Sequence, residues 1–236
     1  MIYAEILAGG VGARMGETEI PKQFHMLGNK PIFIHTIEHF LNNERVDIVL
    51  VCCHNEWISY TKDTINEYIV DTDKVIVVKG GNTRNETILN GCMYIEEHFG
   101  ICDEDIILTH DAVRPFLSQR IIDDNIDGAL TYGAVDTVME AYDTIVHSVD
   151  GEVISDIPIR GEMFQGQTPQ TFNIRLLMKF FESLTKEEKE ILTDACKALV
   201  IKGIDVHLVH GDVTNMKITT KHDLKVAKAL VSVQNT

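Results

Sequence analysis

The sequence predicts an α/β fold: a mostly parallel sheet with helices on both faces. Three observations predict it. Short apolar runs rich in β-branched residues alternate with segments of helical periodicity through the first half of the chain. Those runs are apolar throughout rather than alternating, as in strands covered on both faces. Several of them end in glycines or an acid, the positions where open α/β sheets gather their ligands.

In chain order, Ile2–Leu7 is an apolar strand running into Gly9-Gly10. Pro31–Leu41 is a helix, with Pro31 in the first turn and Ile34, Ile37 and Leu41 on one face. Val46–Cys53 is a strand, Ile58–Ile69 a helix, and Val75–Val78 a strand entering Gly80-Gly81. Glu86–Phe99 is a helix carrying Ile88, Cys92, Ile95 and Phe99 at helical spacing, and Ile106–Thr109 is again a strand. Ser118 caps a helix that runs through Leu130. The βαβ rhythm then stops at Gly133. Ala134–Val138, Tyr142–Ser148 and Val153–Ile157 are short strand-like runs, with a hairpin turn signal at Asp150-Gly151. They form either a projecting β-arm, at about 138–158, or an extension of the sheet edge. Helices resume at Arg175–Ser183 and Thr185–Lys202, the second opening on the capping box Thr185/Glu188 and closing at Gly203. A strand at Asp205–Val209 and a helix at His222–Val231 complete a single domain spanning residues 1–236.

The length suffices to bury a sizeable core. Hydrophobic content of 44% and charged content of 24% are those of a globular protein. A net charge of -15 argues against nucleic-acid or anionic-membrane partners, which need a basic face. A small anionic ligand remains compatible, because screening confines surface fields to about 8 Å and a few local cations decide the potential of a cleft. Five cysteines without C-x-x-C spacing point to a reduced, cytoplasmic chain. The N-terminus lacks a basic region and reads as a strand, not a signal peptide, and no apolar stretch approaches a membrane span.

Three stretches carry candidate chemistry. In "LAGGVGARMGETEIPKQF", Gly9, Gly10 and Gly12 follow a strand, but Met15 stands where a dinucleotide fingerprint needs its third glycine, and Glu17 follows Gly16 where a Walker loop needs lysine. The cations Arg14 and Lys22 nonetheless flank a loop whose N–H groups could hold phosphate oxygens, and Pro21 restricts the backbone at Lys22. In "KGGNTRNETILNG", Gly80 and Gly81 permit close approach of a flat ligand such as a base, while Arg84 and Thr87 sit near a helix N-terminus; ordinary capping is the alternative. In "THDAVRPF", Asp111 closes a buried strand, where it could take a ribose hydroxyl or Mg²⁺, or cap a turn and pair with Arg114. Arg160 and Thr168 in "IPIRGEMFQGQTPQTF", and Lys217 before the capping residue Thr220, are further cationic or polar candidates. His35 and His39 have helical i, i+4 spacing but no third metal ligand.

Taken together, the motifs L-A-G-G-x-G-x-R-M-G with P-K-Q, G-G-x-x-R-N-E-T, H-D-A-V-R-P, Q-G-Q-T-P-Q, L-T-D-A-C-K and N-x-K-I-T-T resemble the cytidylyltransferases that activate sugar-alcohol phosphates. The resemblance covers about residues 2 to 231. That family includes methylerythritol-phosphate and ribitol-5-phosphate cytidylyltransferases, and the set looks most like the ribitol-5-phosphate branch. The methylerythritol branch usually carries P-A-A-G where this chain has Leu7-Ala8-Gly9-Gly10, and V-R-D-T where it reads Ala141-Tyr142-Asp143-Thr144.

The resemblance implies conversion of CTP and ribitol 5-phosphate to CDP-ribitol and pyrophosphate with Mg²⁺, serving teichoic-acid or related polymer synthesis. It also implies a Rossmann-like fold with a protruding β-arm, at about 138–158, that clasps a second subunit into a homodimer. Leu7, Ala8, Gly9, Gly10 and Gly12, with Gly80, Gly81, Asn82, Arg84, Asn85 and Thr87, would frame the cytidine nucleotide. Asp111 and Ala112 would lie by the ribose, Asp111 also on the metal. Arg14 and Lys22 would serve catalysis at the triphosphate. Arg160, reaching across the dimer, and Lys217 would hold the acceptor phosphate, with Arg114 and Thr168 beside it. Asp143, Thr144, Thr193 and Asp194 would contact the polyol. The alternatives are methylerythritol 4-phosphate as acceptor, a nucleotide-binding regulator without catalysis, and an NAD-dependent oxidoreductase, which the failed fingerprint weakens.

Overall fold

The computed structural model describes residues 1–10, 20–190, 192 and 194–234. In chain order the strands are β1 (Ile2–Ala8), β2 (Met26–Leu27), β3 (Lys30–Pro31), β4 (Ile48–Cys53), β5 (Val75–Lys79), β6 (Ile106–Asp111), β7 (Ala134–Glu140), β8 (Phe164–Asn173) and β9 (His207–His210). The helices are α1 (Ile32–Leu41), α2 (Ile58–Tyr68), α3 (Arg84–Phe99), α4 (Gln119–Tyr132), α5 (Ile174–Ser183), α6 (Lys186–Glu190), α7 (Ala195–Ile201) and α8 (Lys221–Gln234).

Seven strands form one sheet in the order β5-β4-β1-β6-β8-β7-β9. Neighbours pair in parallel except on either side of β8, which runs against both β6 and β7. The chain therefore moves outward from β1 to β4 and β5, then returns to the other side of β1 at β6. That reversal leaves a crevice beyond the carboxyl ends of β1 and β6.

The two faces of the sheet are covered separately. On one, α1, α2 and α4 press Phe33, Ile37, Ile65 and Ile126 onto Ala4, Ile6, Val49 and Val51. On the other, α3, α5 and α7 press Ile88, Ile95, Leu177 and Leu199 onto Tyr3, Leu50 and Ile107. Truncating one of these buried leucine, isoleucine or phenylalanine side chains to alanine costs roughly 2–5 kcal/mol. Glu5 is the exception within β1. It is wholly buried beside Gly91 of α3, where a Cβ would lie 2.5 Å from its Oε1. Among the described residues its carboxyl has no hydrogen-bond partner beyond the adjacent Cys52 thiol, and burial pushes its pKa up to about 8.

Several elements depart from the sequence expectation. β8 is absent from it, because Gly166, Pro169 and four glutamines and threonines between Gln165 and Gln170 do not read as a strand. The segment pairs with β6 only from Gln170 onward, and the β7 register shifts between Asp136 and Val138, so Pro169 has no ladder bond to supply. The helix expected over Thr185–Lys202 is two helices, because the Asp194 carboxylate caps a new one by accepting from Lys197 N at 2.9 Å. The capping box at its start is present: Glu188 N donates to Thr185 Oγ1 and Thr185 N to Glu188 Oε2. The runs Tyr142–Ser148 and Val153–Ile157 share a single bridge, His147 with Asp156. Residues 141–163 leave the sheet between β7 and β8, closed at the base by Ala141 N donating to Met163 O, and expose Val149, Val153, Ile157 and Ile159. His35 and His39 donate to the carbonyls of Leu27 and Pro115, which accounts for both without a metal.

Candidate active site

The crevice beyond β1 and β6 is a cleft of about 570 Å³. Leu7 faces Asp111 in the ladder, and Ala112 N donates to Leu7 O at 3.3 Å, so the two strand ends are tied at the cleft floor. Leu7, Gly9 and Gly10 line it from β1, and Asp111 and Ala112 from β6. Ala8 is buried in the core behind them.

Lys22 lines the cleft from the short 3-10 turn Lys22–Phe24. Pro21 starts that turn at φ -57°, as its ring requires. The two residues after Lys22 anchor it: Gln23 Nε2 donates to Ala8 O at 2.6 Å, and Phe24 is buried against Phe33 and Trp57. A lysine on such a base is positioned rather than free to wander. Gly12 and Arg14 lie outside the described residues.

The third wall is the N-terminus of α3. Thr83 caps it, accepting from Glu86 N at 3.1 Å, while Glu86 Oε2 accepts from Asn82 N at 2.7 Å. Thr87 Oγ1 donates to Thr83 O and accepts from Gly81 N. The capping alternative is thus realised here. Gly81 is required by it, since a Cβ would lie 2.2 Å from Glu86 Cβ. Gly81, Asn82, Arg84 and Thr87 still line the cleft, so capping and lining coexist. Gly80 and Asn85 do not line it; Asn85 Oδ1 is buried without a partner.

Around Asp111 the charges interlock. Arg114 Nε lies 3.1 Å and Lys217 Nζ 3.0 Å from Asp111 Oδ2. Although burial raises the carboxyl's pKa, Lys217, then Arg84 and Arg114, hold it well below the usual carboxylate range. Arg114, behind the cleft, also donates to Asn215 O at 2.7 Å. Asn215 is wholly buried and donates to Gln167 Oε1 and Thr168 O, which seats the loop carrying Lys217 on β8.

His110 fixes the direction of one more bond. Its Nε2 faces Arg114 O, which only accepts, so that nitrogen carries the hydrogen. Burial lowers its pKa to about 3, so the ring is neutral and Nδ1 accepts from the Thr168 hydroxyl at 2.9 Å. Thr168 Oγ1 in turn accepts from Asp111 N at 3.2 Å. Thr168 is buried, does not line the cleft, and has its hydroxyl hydrogen committed to His110.

Among the described residues, the lining carries three cations, Lys22, Arg84 and Lys217, against the single carboxylate of Asp111. In a chain of net charge -15, this is a local reversal of sign. The remaining expected residues are elsewhere. Arg160, Asp143 and Thr144 stand exposed on the excursion between β7 and β8, with Arg160 Nη1 3.4 Å from Tyr142 O. Asp194 caps α7, and Thr193 lies outside the described residues. Gln23, His54, Thr83 and Val113 also line the cleft, and His110 and Asn215 brace it, although no motif in the sequence assigns them a role. The positions of His54 at the end of β4 and of His110 one residue before Asp111 were the available signals.

A cationic crevice at the switch point of an open α/β sheet, entered by a glycine turn and a helix N-terminus, suits polyphosphate, and the class is that of the nucleotidyltransferases. Residues 2–233 match the family model IspD, 2-C-methyl-D-erythritol 4-phosphate cytidylyltransferase, and the chain belongs to that family. The ribitol-5-phosphate cytidylyltransferase of Lactiplantibacillus plantarum is 53% identical over 231 residues, 98% of each chain. Among solved structures, the 4-diphosphocytidyl-2C-methyl-D-erythritol synthase of Anaerococcus prevotii superposes with a TM-score of 0.80 at 26% identity, covering 98% of this chain and 96% of that one. The 2-C-methyl-D-erythritol 4-phosphate cytidylyltransferase of Francisella tularensis gives 0.79 at 28% identity, covering 97% and 98%. The protein is an enzyme, a cytidylyltransferase.

Proposed function

We propose that the protein transfers the cytidylyl group of CTP to ribitol 5-phosphate, forming CDP-ribitol and releasing pyrophosphate. The observation that carries this is the convergence of Lys22, Arg84 and Lys217 with Asp111 on one cleft. Identity of 53% to a ribitol-5-phosphate enzyme selects the acceptor.

An oxygen of the acceptor phosphate attacks the α-phosphorus of CTP. The bond from that phosphorus to the bridging oxygen breaks, and the electron pair leaves with pyrophosphate. The attacking phosphate is already anionic near neutral pH, so no strong base is needed. The obstacle is bringing two polyanions together, which makes positioned cations the main catalytic resource. Lys22, with Arg14, neutralises the triphosphate. Lys217 holds the acceptor phosphate. Leu7, Gly9 and Gly10, with Gly81, Asn82, Arg84 and Thr87, frame the nucleotide. Arg114 and Thr168 act from beneath by fixing Asp111, and Asp143, Thr144, Thr193 and Asp194 meet the polyol.

No group of three or more His, Cys, Asp or Glu side chains able to cage a metal occurs among the described residues. One carboxylate in the cleft suits Mg²⁺, which takes one or two carboxylates and completes its shell with phosphate oxygens and water. Asp111 would hold the ion, which supplies positive charge to the triphosphate oxygens. The apolar excursion at 141–163 clasps a second subunit, bringing Arg160 to the partner's acceptor phosphate. We place the enzyme in the cytoplasm, in supply of ribitol phosphate to teichoic acid or a related polymer, with no nucleic-acid or membrane partner; no helix among the described residues is long and apolar enough to cross a membrane.

A second acceptor, methylerythritol 4-phosphate, is favoured by the name of the matching family. Tyr142, standing where that branch usually carries arginine, weighs against it. Pyrophosphate release measured with CTP, Mg²⁺ and each polyol phosphate decides. The expected result is turnover with ribitol 5-phosphate at least a hundredfold above methylerythritol 4-phosphate, and little with ATP. Equal use of ATP and CTP, or no turnover with any pair, refutes the proposal.

A further inference from the structure

Arg84 is the first residue of α3 and lines the cleft. A long side chain on a first helical turn has many rotamers, and a guanidinium that serves a nucleotide must be held in one. The holding contact comes from β8: Arg84 Nη1 donates to Gln170 Oε1 at 3.1 Å. Gln170 is 3% exposed, and its Nε2 donates at 3.1 Å to Asp136 Oδ1 on β7. Gln170 and Asp136 are cross-strand partners in the β7–β8 ladder, so their side chains stand on one face of the sheet. The amide cannot be turned over. A guanidinium only donates and a carboxylate only accepts, so Oε1 must face Arg84 and Nε2 must face Asp136. Each bond has one ionic end, and the amide dipole lies along the line between the two charges.

We propose that Gln170 and Asp136 are positioning residues: with Arg84 they form an amide-bridged ion pair that holds the guanidinium in the orientation that meets the nucleotide. The inference rests on the assignment of the cleft to CTP. Neither Gln170 nor Asp136 lines the cleft, so both act through Arg84. Among the described residues, Gln170 engages one of the five guanidinium N–H groups, and the others remain to face a ligand.

The groups around Asp136 make the bridge sensitive to acid. Arg84 faces it from α3, Asp194 and Cys196 from the start of α7, and Gln170 from β8, while Leu208 of β9 stands opposite in register. Burial, then Asp194, raise the carboxyl's pKa to about 6 against the opposing pull of Gln170, Arg84 and Cys196. Above that value both ends of the bridge are ionic; below it, only the Arg84 end.

The test is calorimetric titration of CTP with Mg²⁺ into the full-length wild type, Gln170→Met, Arg84→Ala and the double variant. Absence of CTP binding to the wild type removes the nucleotide assignment and this inference with it. With binding present, Gln170→Met should weaken CTP about tenfold, the scale of losing hydrogen bonds to charged groups. In the Arg84→Ala background the same substitution should change affinity less than twofold. Equal losses in both backgrounds overturn the proposal, because Gln170 would then act independently of Arg84. Asp136→Asn is the second variant, for use even where Gln170→Met does not fold. It keeps an acceptor for Gln170 and removes the charge. The ratio of its CTP Kd to that of the wild type should rise from near one at pH 5 to about threefold at pH 7.5, the titration of CTP itself cancelling. A ratio independent of pH overturns the relay.

Discussion

Substituting Asn215 by alanine removes the clasp that seats the Lys217 loop on β8. Asn215 is wholly buried and donates to Gln167 Oε1 at 3.0 Å and Thr168 O at 2.8 Å, while its own Oδ1 has no partner among the described residues. The position therefore uses only the donor half of the amide. Two bonds at about 1 kcal/mol each, plus the cost of leaving Thr168 O short of a donor, give a loss of roughly 2–4 kcal/mol. For a chain of this size that lowers the melting midpoint by roughly 5–15 °C. Lys217 follows two residues later, so kcat/KM for the acceptor should fall at least tenfold while KM for CTP moves less than twofold. Asn215→Asp is the discriminating partner. It is nearly isosteric, but it sets a carboxylate against two carbonyl oxygens, and it should be less stable than the alanine variant at pH 7.5. The introduced acid ionises near 3.9 in the unfolded chain and at a higher pH in the folded one, where burial and two carbonyl oxygens oppose its charge. The native state then binds the proton more tightly, so the deficit shrinks as pH falls toward 5. Thermal unfolding of wild type and both variants at pH 5 and 7.5, with initial rates at varied acceptor, measures all of this. An aspartate variant as stable as the alanine variant at pH 7.5, or one that does not recover on acidification, refutes the donor argument.

Lys22→Ala should lower turnover by 10²–10³-fold, the effect of removing one preorganised cation, with an unchanged circular dichroism spectrum; wild-type turnover removes Lys22 from the mechanism. Glu5, with its pKa raised to about 8, binds its proton more tightly in the folded chain. The stability it contributes is therefore present at low pH and declines as pH rises from about 4.5 through 8; Glu5→Gln should flatten that decline in denaturant melts across the range, and an unaltered slope contradicts the assignment. Ile157→Glu with Ile159→Glu, both exposed on the excursion between β7 and β8, should convert the proposed dimer into a monomer by light scattering, without loss of helical signal.

The parts of the fold that sequence made legible are those whose residues serve one purpose. β1, β4 and β6 are apolar because both faces are covered, and Ser118 and Thr185 sit where a helix must start. β8 was illegible because its residues answer to the site rather than to the sheet: Gln167, Thr168 and Gln170 carry bonds to Asn215, His110 and Arg84, and a polar strand reads as a loop. In the site, the lining of Gly9, Gly10, Lys22, Arg84, Asp111 and Lys217 was legible because each follows a strand or precedes a helix start. The bracing residues were not, since Gln170 lies 86 positions from Arg84 and Asn215 lies 101 from Arg114. No local periodicity encodes pairings of that span. The role foreseen for the glycines at 80 and 81 was partly displaced, because Gly81 is small for the sake of Glu86.

With Lys217 in the role proposed for it, its pairing with Asp111, 3.0 Å apart, makes the cleft an ion exchanger. An arriving phosphate does not capture a bare, fully hydrated ammonium; it replaces one anion by another. Asp111 keeps Arg114 at 3.1 Å after the exchange, so no buried charge is stranded when Lys217 turns to the ligand. Binding by exchange releases less free energy than binding to an unpaired cation, and the same holds in reverse for departure. An enzyme that must let go of two polyanionic products gains from that symmetry: the carboxylate waiting beside Lys217 is what takes the lysine back.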